Sequence, residues 1–584
     1  MSEPAPSPPA AEAPTSSEGF LRKLSLFDAT MLVVGTMIGS GIFATTADIA
    51  RDTGGSGWVL AVWALAGIMT MLGALCYAEL SSMMPFAGGQ YVFLREAFSP
   101  LWGFLYGWTC FLIIQCGSIA AVAVVFARYL GVLVPSLGTD PDVNAIYQIQ
   151  NVNLSLSLPW MTEPFFVLKD FVVTTGQLVA VGVIIFLTLL NCRGVQEGKI
   201  VQNFFTVAKT LALIGLIVIG LVLAFSPKAV EWNTADPWGG IMDTPQFNMV
   251  RRQVGEIGIL AAMMVFGGAM VGALFSADAW NNVTFTAGEI KDPKRNLPRS
   301  LFLGAGIVVV LYVLANVAYM AALPVSGSPS LDNHVRALAG RADSSEVTAR
   351  RLSAEGKEAE AEKERARAAR ILEERKQRLN EANTFDRGIA YAVEDRVGTA
   401  VVEMWSPSLA APAMAIAIMI STFGCVNGLI LMGARLYCVM ARDGLFFGPA
   451  GRLNSRSVPA VGLIFQGLWS IVLVFSGTYN ELLDFVIFAV LVFYVLTVIG
   501  LFVLRVRRPK AERPYRAFGY PFLPALYVLL CAAIMVNLLF VKPKFTWPGL
   551  IIVVAGVPVY FLWRMFSSRT PAHVLPPTPP AVTG

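Results

Sequence analysis

Histidine and charge are what this 584-residue chain has least of: two histidines, His334 and His573, and 14% Asp, Glu, Lys and Arg combined. Both histidines lie in polar segments, which argues against a histidine-built metal centre and removes the usual neutral-pH proton shuttle. The seven cysteines fall inside or at the edge of apolar runs, so no loop carries a disulfide framework of the secreted type. A phosphate-cradling P-loop is missing, which disfavours ATP-driven pumping, and no repeated pore-loop filter points to a channel. The net charge of +5 is too small to suggest nucleic acid. No enzyme chemistry, cofactor or metal is expected.

What the chain has instead is 55% hydrophobic residues, in about twelve runs long enough to cross a membrane. They lie near 27–48, 58–81, 101–131, 171–191, 201–225, 256–288, 301–323, 409–438, 459–476, 482–504, 520–541 and 548–566. The fold class is therefore an all-α membrane protein whose main solvent is the lipid bilayer. The Pro/Ala/Ser-rich segment 1–23 and the segment 568–584 read as disordered tails. A cleaved signal peptide is the competing reading of the first run, but its length and the eleven runs that follow argue against it. Lysines and arginines concentrate in "KDPKR" and "RVRRPKAERPYR" on one side, which predicts a multi-pass cell-membrane protein with both termini cytoplasmic.

Between spans 7 and 8, residues 341–382 carry eleven basic and ten acidic residues, with strong helix formers throughout. They predict a solvated helix or helical hairpin outside the cytoplasm, bent near Gly356, without the apolar heptads of a coiled coil. A tolerated insertion and a docking site for a partner both remain open.

Span 1 contains "GTMIGSGIF", with glycines at 35, 39 and 41. Gly35 and Gly39 form a small-xxx-small pair that would let helices approach closely. Flanking Ser40 with two glycines points further, to a discontinuous helix whose unwound turn faces a ligand cavity. Span 6 supplies a second interruption: Gly267, Gly268 and Gly272, then Ser276, Asp278, Asn281 and Asn282 near its centre. Two breaks predict an inverted repeat of five plus five helices, spans 1–5 (residues 24–225) and 6–10 (226–504), with spans 11 and 12 (505–567) appended.

"GTMIGSGIF", "PFAGGQYVFLREAF", "VQNFFTVAKTLALIGLIV", "GEIKDPKRNLPRS", "STFGCVNGLILMGARLYCVMARDG" and "RPKAERPYRAFGYPFLP" together resemble the amino acid, polyamine and organocation transporter superfamily, most closely its L-type amino acid transporter-like branch. The resemblance runs from about Leu24 to Phe566. It implies alternating access around a site where the span 1 break and an aromatic gate in span 6 bind the backbone of a free amino acid. The N–H groups of Ser40, Gly41 and Ile42 would then suit the substrate carboxylate, at the positive end of a half-helix. The carbonyls near Met37, Ile38 and Phe275 would suit its ammonium, with Gly39 leaving room. Phe275 matches the family's gating aromatic, and Trp280 and Asn281 match residues that shape the side-chain pocket.

Lys209 lies eight residues into span 5, ~12 Å from the membrane edge, where a lysine is costly and reads as functional. By resemblance it stands where sodium sits in sodium-coupled relatives, bridging the span 1 break to span 8 near Ser421 and Thr422. That implies sodium-independent transport, by exchange or with protons as the coupling ion. Asp278 has several readings: a pair for Lys209, a site for a cationic substrate, proton coupling, or a helix cap. Glu79 and Glu289 fall towards the cytoplasmic helix ends and suggest a charge network there.

The chain departs from the branch at Ala277 and Ala279, where the branch commonly has an aromatic and a glycine before Trp280. Vertebrate members of the branch are disulfide-linked to a glycoprotein through a cysteine in the loop between spans 3 and 4. That loop, 135–170, has no cysteine here, so no such heavy chain is expected. The alternative to a transporter is an amino acid-binding membrane sensor without turnover.

Overall fold

The computed structural model describes residues 19–149, 154–156, 166–168, 171–255, 257–476 and 479–566. Among them, ten helices are long and apolar enough to cross a membrane. An eleventh span is the bent pair Leu26–Met37 and Gly41–Thr53, which meet at 42°. Ala460–Val474, a shorter apolar helix, takes the place expected of span 9 and brings the number to the twelve read from hydropathy.

In chain order the spans are 1, Leu26–Met37 with Gly41–Thr53; 2, Ser56–Met83; 3, Pro100–Leu133; 4, Thr175–Arg193; 5, Val195–Leu223; 6, Gly258–Ser276 with Trp280–Glu289; 7, Pro293–Ala322; 8, Pro407–Arg442; 9, Ala460–Val474; 10, Tyr479–Arg507; 11, Phe522–Val541; and 12, Pro543–Phe566. Span 1 begins at a capping box in which Ser25 and Asp28 satisfy each other's backbone N–H. Lys199 and Asn203 of span 5 also bind the Asp28 carboxylate, at 3.1 and 2.7 Å.

Residues 341–382 fold as expected into a helical hairpin. Its arms are Pro329–Ala354 and Glu358–Glu381, and the turn uses Gly356 at φ 77°. Leu338, Ala342 and Ile371 make a small core between the arms, and ion pairs such as Arg365–Glu358 line their exposed sides. The loop after span 3 is less plain than its composition suggested. Ala145–Ile149 pairs antiparallel with Phe171–Thr174, and Leu154–Leu156 with Phe166–Leu168.

The tails at 1–18 and 567–584 lie outside the described residues. Of residues 19–23, assigned above to the disordered N-terminal tail, Phe20 packs into the core instead. Phe20 is fully buried with the Arg442 guanidinium 5.4 Å from its ring, and Leu24 bridges to Ile290. An aromatic facing a cation gains both apolar burial and ring electrostatics, which composition alone does not reveal.

The same face of the bundle carries the charge network expected for Glu79 and Glu289. Glu289 and Arg435, both fully buried, meet at 3.0 Å, and Glu79 takes hydrogen bonds from Arg505 at 2.5 Å and the Ala517 N–H at 2.7 Å. Removing one partner of a dry ion pair strands the other charge, whereas an apolar replacement of both is nearly neutral. Glu289→Gln should therefore destabilise the protein by about 3 kcal/mol or more. Thermal unfolding in detergent should show Glu289→Leu with Arg435→Met closer to wild type than Glu289→Gln alone.

Candidate functional site

Span 1 leaves its helix at Ile38, whose ψ of 92° is extended, and re-enters at Gly41 behind Ser40. Breaking a helix inside a membrane protein frees carbonyls on one side and N–H groups on the other, and each must find a partner. On the carbonyl side every group has at least one partner. Lys209, completely buried, donates from Nζ to the Gly35 carbonyl, to Ile38 at 2.8 Å and to Ser421 at 3.0 Å. Ser421 Oγ reaches the carbonyls of Ile38 and Gly39 at 3.0 and 2.9 Å. Cys425 Sγ lies 3.2 Å from the Thr36 carbonyl, and the Tyr312 hydroxyl donates to Met37 at 2.9 Å.

Two lone pairs are all a carbonyl offers; Ile38 commits one to Lys209 and with the other shares the single Ser421 hydroxyl proton with Gly39. Met37 keeps one. Thr422, expected beside Ser421, turns back into its own helix and bonds the Ile418 carbonyl at 2.8 Å. The N–H side differs. Gly39, Ser40, Gly41 and Ile42 open the second half-helix, and among the described residues their N–H groups have no partner. Gly39, Ser40 and Gly41 are also only half-buried in a stretch flanked by buried residues.

The span 6 break lies directly opposite. Its first half ends at Ser276, and Ala279 then takes a left-handed conformation, φ 66° and ψ 3°, before the fully buried 3₁₀ segment Trp280–Glu289. The Ser276 hydroxyl bonds Gly272 at 2.8 Å and lies 3.3 Å from Thr45 Oγ1, while the Ser276 carbonyl is 3.1 Å from the Tyr312 hydroxyl. One tyrosine on span 7 thus stands between the last carbonyl of each broken half. Phe275 is half-buried, and its carbonyl accepts the Asp278 N–H at 3.2 Å.

The three glycines of span 1 separate once their surroundings are known. A Cβ on Gly35 would collide with Gln202 and Thr206, and one on Gly41 would lie 3.2 Å from the Ser276 backbone and closer still to its side chain. Only Gly39 opens onto space, its nearest neighbour being Cys425 Sγ at 3.8 Å. The contact between the two breaks by itself requires a glycine at Gly41, whatever its N–H group binds.

Asp278 neither pairs with Lys209 nor caps the 3₁₀ segment. Its Oδ1 accepts the Tyr494 hydroxyl at 2.5 Å, and a polar chain continues from Tyr494 to Asn281 at 3.1 Å, to Gln90 at 2.9 Å and to Thr497 at 3.0 Å. Two cavities adjoin this carboxylate. One is lined by Met69, Thr70, Trp280, Tyr527 and Cys531, the other by Gln90, Gln115, Ser118, Asn281 and Asn282; Asp278, Val490 and Tyr494 line both. Tyr77 and Tyr494 hold the Trp280 ring at 4.9 and 5.4 Å. Tyr312, Cys425, Tyr494 and Gln90 went unread in the sequence, though a glutamine inside an otherwise apolar region is itself a signal.

Two half-helices meeting at facing breaks, with a buried lysine on one side and an acid-lined polar pocket on the other, define a membrane permease. The amino acid permease family matches residues 24–350 and 386–562, and the chain belongs to it. It is 26% identical over 549 residues to the mouse b(0,+)-type amino acid transporter 1, covering 94% of this chain and 88% of that protein. To the mouse large neutral amino acids transporter small subunit 2 it is 28% identical over 565 residues, 95% and 83% of the two chains. The human b(0,+)-type amino acid transporter 1 matches at 25% over 546 residues, 93% and 88%.

Two substitutions test the local reading. Ala279→Gly relieves the left-handed strain and should raise stability by ~1 kcal/mol. Gly41→Ala should lower the melting temperature by forcing the breaks apart, and replacing Ser276 by glycine in the same chain should recover part of the loss.

Proposed function

We propose that this protein is a secondary transporter of amino acids that works by alternating access without sodium, as an exchanger or with protons as coupling ion. The observation that carries the proposal is the row of unpartnered N–H groups at Gly39–Ile42, facing the span 6 break, in a member of the amino acid permease family. A carboxylate is the group those donors lack. The ammonium one carbon away would be received by the remaining lone pairs of the Met37 and Ser276 carbonyls, both beside Tyr312. Trp280, Asn281 and Asp278 would then face the substrate side chain, with Phe275 closing over it.

Lys209 supports the sodium-free reading. Its ammonium bonds three carbonyls contributed by spans 1 and 8, so the amine nitrogen fills the place and supplies the charge that a bound metal ion would bring. The concentration of Arg505, Arg507, Arg508 and Arg513 on the face of the N-terminus favours a cytoplasmic location for both termini in the cell membrane. The absence of cysteine from 135–170 favours a chain without a disulfide-linked partner.

Proteoliposomes offered a panel of labelled amino acids should take them up in sodium-free buffer, and faster when loaded with unlabelled amino acid or given a proton gradient. Dependence on sodium would refute the role of Lys209. Gly39→Ala should fold, since its new Cβ makes only an ordinary contact with Cys425 Sγ at 3.8 Å, and should sharply reduce uptake. Asp278→Asn should weaken uptake of cationic amino acids about tenfold relative to neutral ones, as expected for losing one charge-assisted hydrogen bond.

A further inference from the structure

A three-residue 3₁₀ turn on the hairpin side of the molecule, Val393–Asp395, takes no part in the site above. Glu394, at φ 50° and ψ 32°, and Asp395, at φ 60°, are consecutive residues with side chains in the left-handed region. Backbone of this kind persists only where its surroundings hold it, and it gathers at clamps and switches. Here the carboxylates hold it. Asp395 meets Arg51 at 2.5 Å and Glu394 meets Arg128 at 3.0 Å, with Arg396 also bonding Glu394.

The two arginines belong to different parts of the bundle. Arg51 lies in the last turn of Gly41–Thr53, the half-helix that starts at the span 1 break, and Arg128 lies near the end of span 3. Arg51 also bonds the Ala390 carbonyl at 2.8 Å, and the Arg396 guanidinium sits 5.3 Å from the ring of Tyr129. The turn itself hangs from a fixed base. Ile389 and Ala390 donate to the carbonyls of Pro324 and Val325, both at 2.9 Å, and Ser328 to that of Asp386 at 2.8 Å. Charges at the turn are 41% and 49% exposed, so each pair is weak and parts easily in salt water.

We propose that Glu394 and Asp395 form an electrostatic latch that ties the hairpin-side ends of spans 1 and 3 together and sets how often the break at Gly39 is reached from that face. The proposal rests on the break being the substrate site. The latch is placed where the hairpin rejoins the bundle, so anything that shifts the hairpin pulls on it. A rise in ionic strength weakens both pairs without touching the buried site.

Cys425, 4% exposed and beside Gly39, reports access to the break. A small impermeant methanethiosulfonate is added to the hairpin face of reconstituted protein, and modification of Cys425 is timed by peptide mass spectrometry. Glu394→Gln with Asp395→Asn should speed modification about fivefold, the size expected for two exposed pairs. Arg51→Asp should do the same, and adding Asp395→Arg to it should restore the slow rate. Raising salt from about 0.05 M to about 1 M should accelerate wild type but not the double variant. Equal rates in wild type and all variants, or a salt response unchanged by the double variant, would overturn the latch. Protection of Cys425 by amino acids is a separate readout: its absence would count against the substrate site while leaving the comparison of latch variants intact.

Discussion

The rest of the structure depends on the buried ammonium of Lys209. Opening a helix in the middle of a membrane bundle leaves carbonyls that lipid cannot satisfy, and a fully buried lysine leaves a charge that lipid cannot accept. Each problem solves the other. Gly35, Ile38 and Ser421 offer carbonyl oxygen to Nζ, and the unwound turn of span 1 is thereby tied to spans 5 and 8. Gly424 is part of the same arrangement, since a Cβ there would stand 3.4 Å from Nζ and closer to Phe205.

This arrangement makes the break electrically lopsided. Lys209, Ser421, Tyr312 and Cys425 engage the carbonyl side, while the N–H side has no protein partner among the described residues. In the proposed site an anion would complete that side, and the helix dipole of Gly41–Thr53 would favour it. Tyr312 refines the picture. A single hydroxyl proton cannot serve two carbonyls fully, yet the oxygen lies 2.9 Å from Met37 and 3.1 Å from Ser276. The two breaks are thus joined by a shared, divided donor, and a ligand ammonium between them would meet acceptors that are only half satisfied.

Much of this was legible in the sequence because it is local. Glycine spacing marked the span 1 break, polar residues inside an apolar run marked the span 6 break, and depth along span 5 singled out Lys209. The hairpin and its bend at Gly356 followed from helix propensity and charge. What escaped depends on residues distant in the chain. Tyr312 is 275 positions from Met37, and Tyr494 is 216 from Asp278, so neither partner has a periodicity to announce it. Gly41 has a further reason to be glycine that was hidden for the same cause: the side chain it makes room for belongs to Ser276. Phe20 was grouped with the tail because composition averages over a window, and one buried aromatic anchors a segment whose neighbours are polar.

The two faces of the bundle are closed by unlike chemistry. On the face of the N-terminus, Glu289–Arg435 and Glu79–Arg505 have carboxylates with no exposure, and Leu24 is stitched by backbone to the end of span 6. Separating charges there means leaving each in a dry, low-dielectric setting unless water enters first. On the hairpin face the pairs of Arg51 and Arg128 are already wetted, and their loss is largely repaid by solvent. In the proposed alternating-access cycle, opening towards the hairpin face would meet a low electrostatic barrier, whereas opening towards the other face would require hydration of the charge network as part of the same step. The ion pairs of the two faces thus differ in burial, and in the proposed cycle that difference, and not the binding site, would set an asymmetry between the two openings.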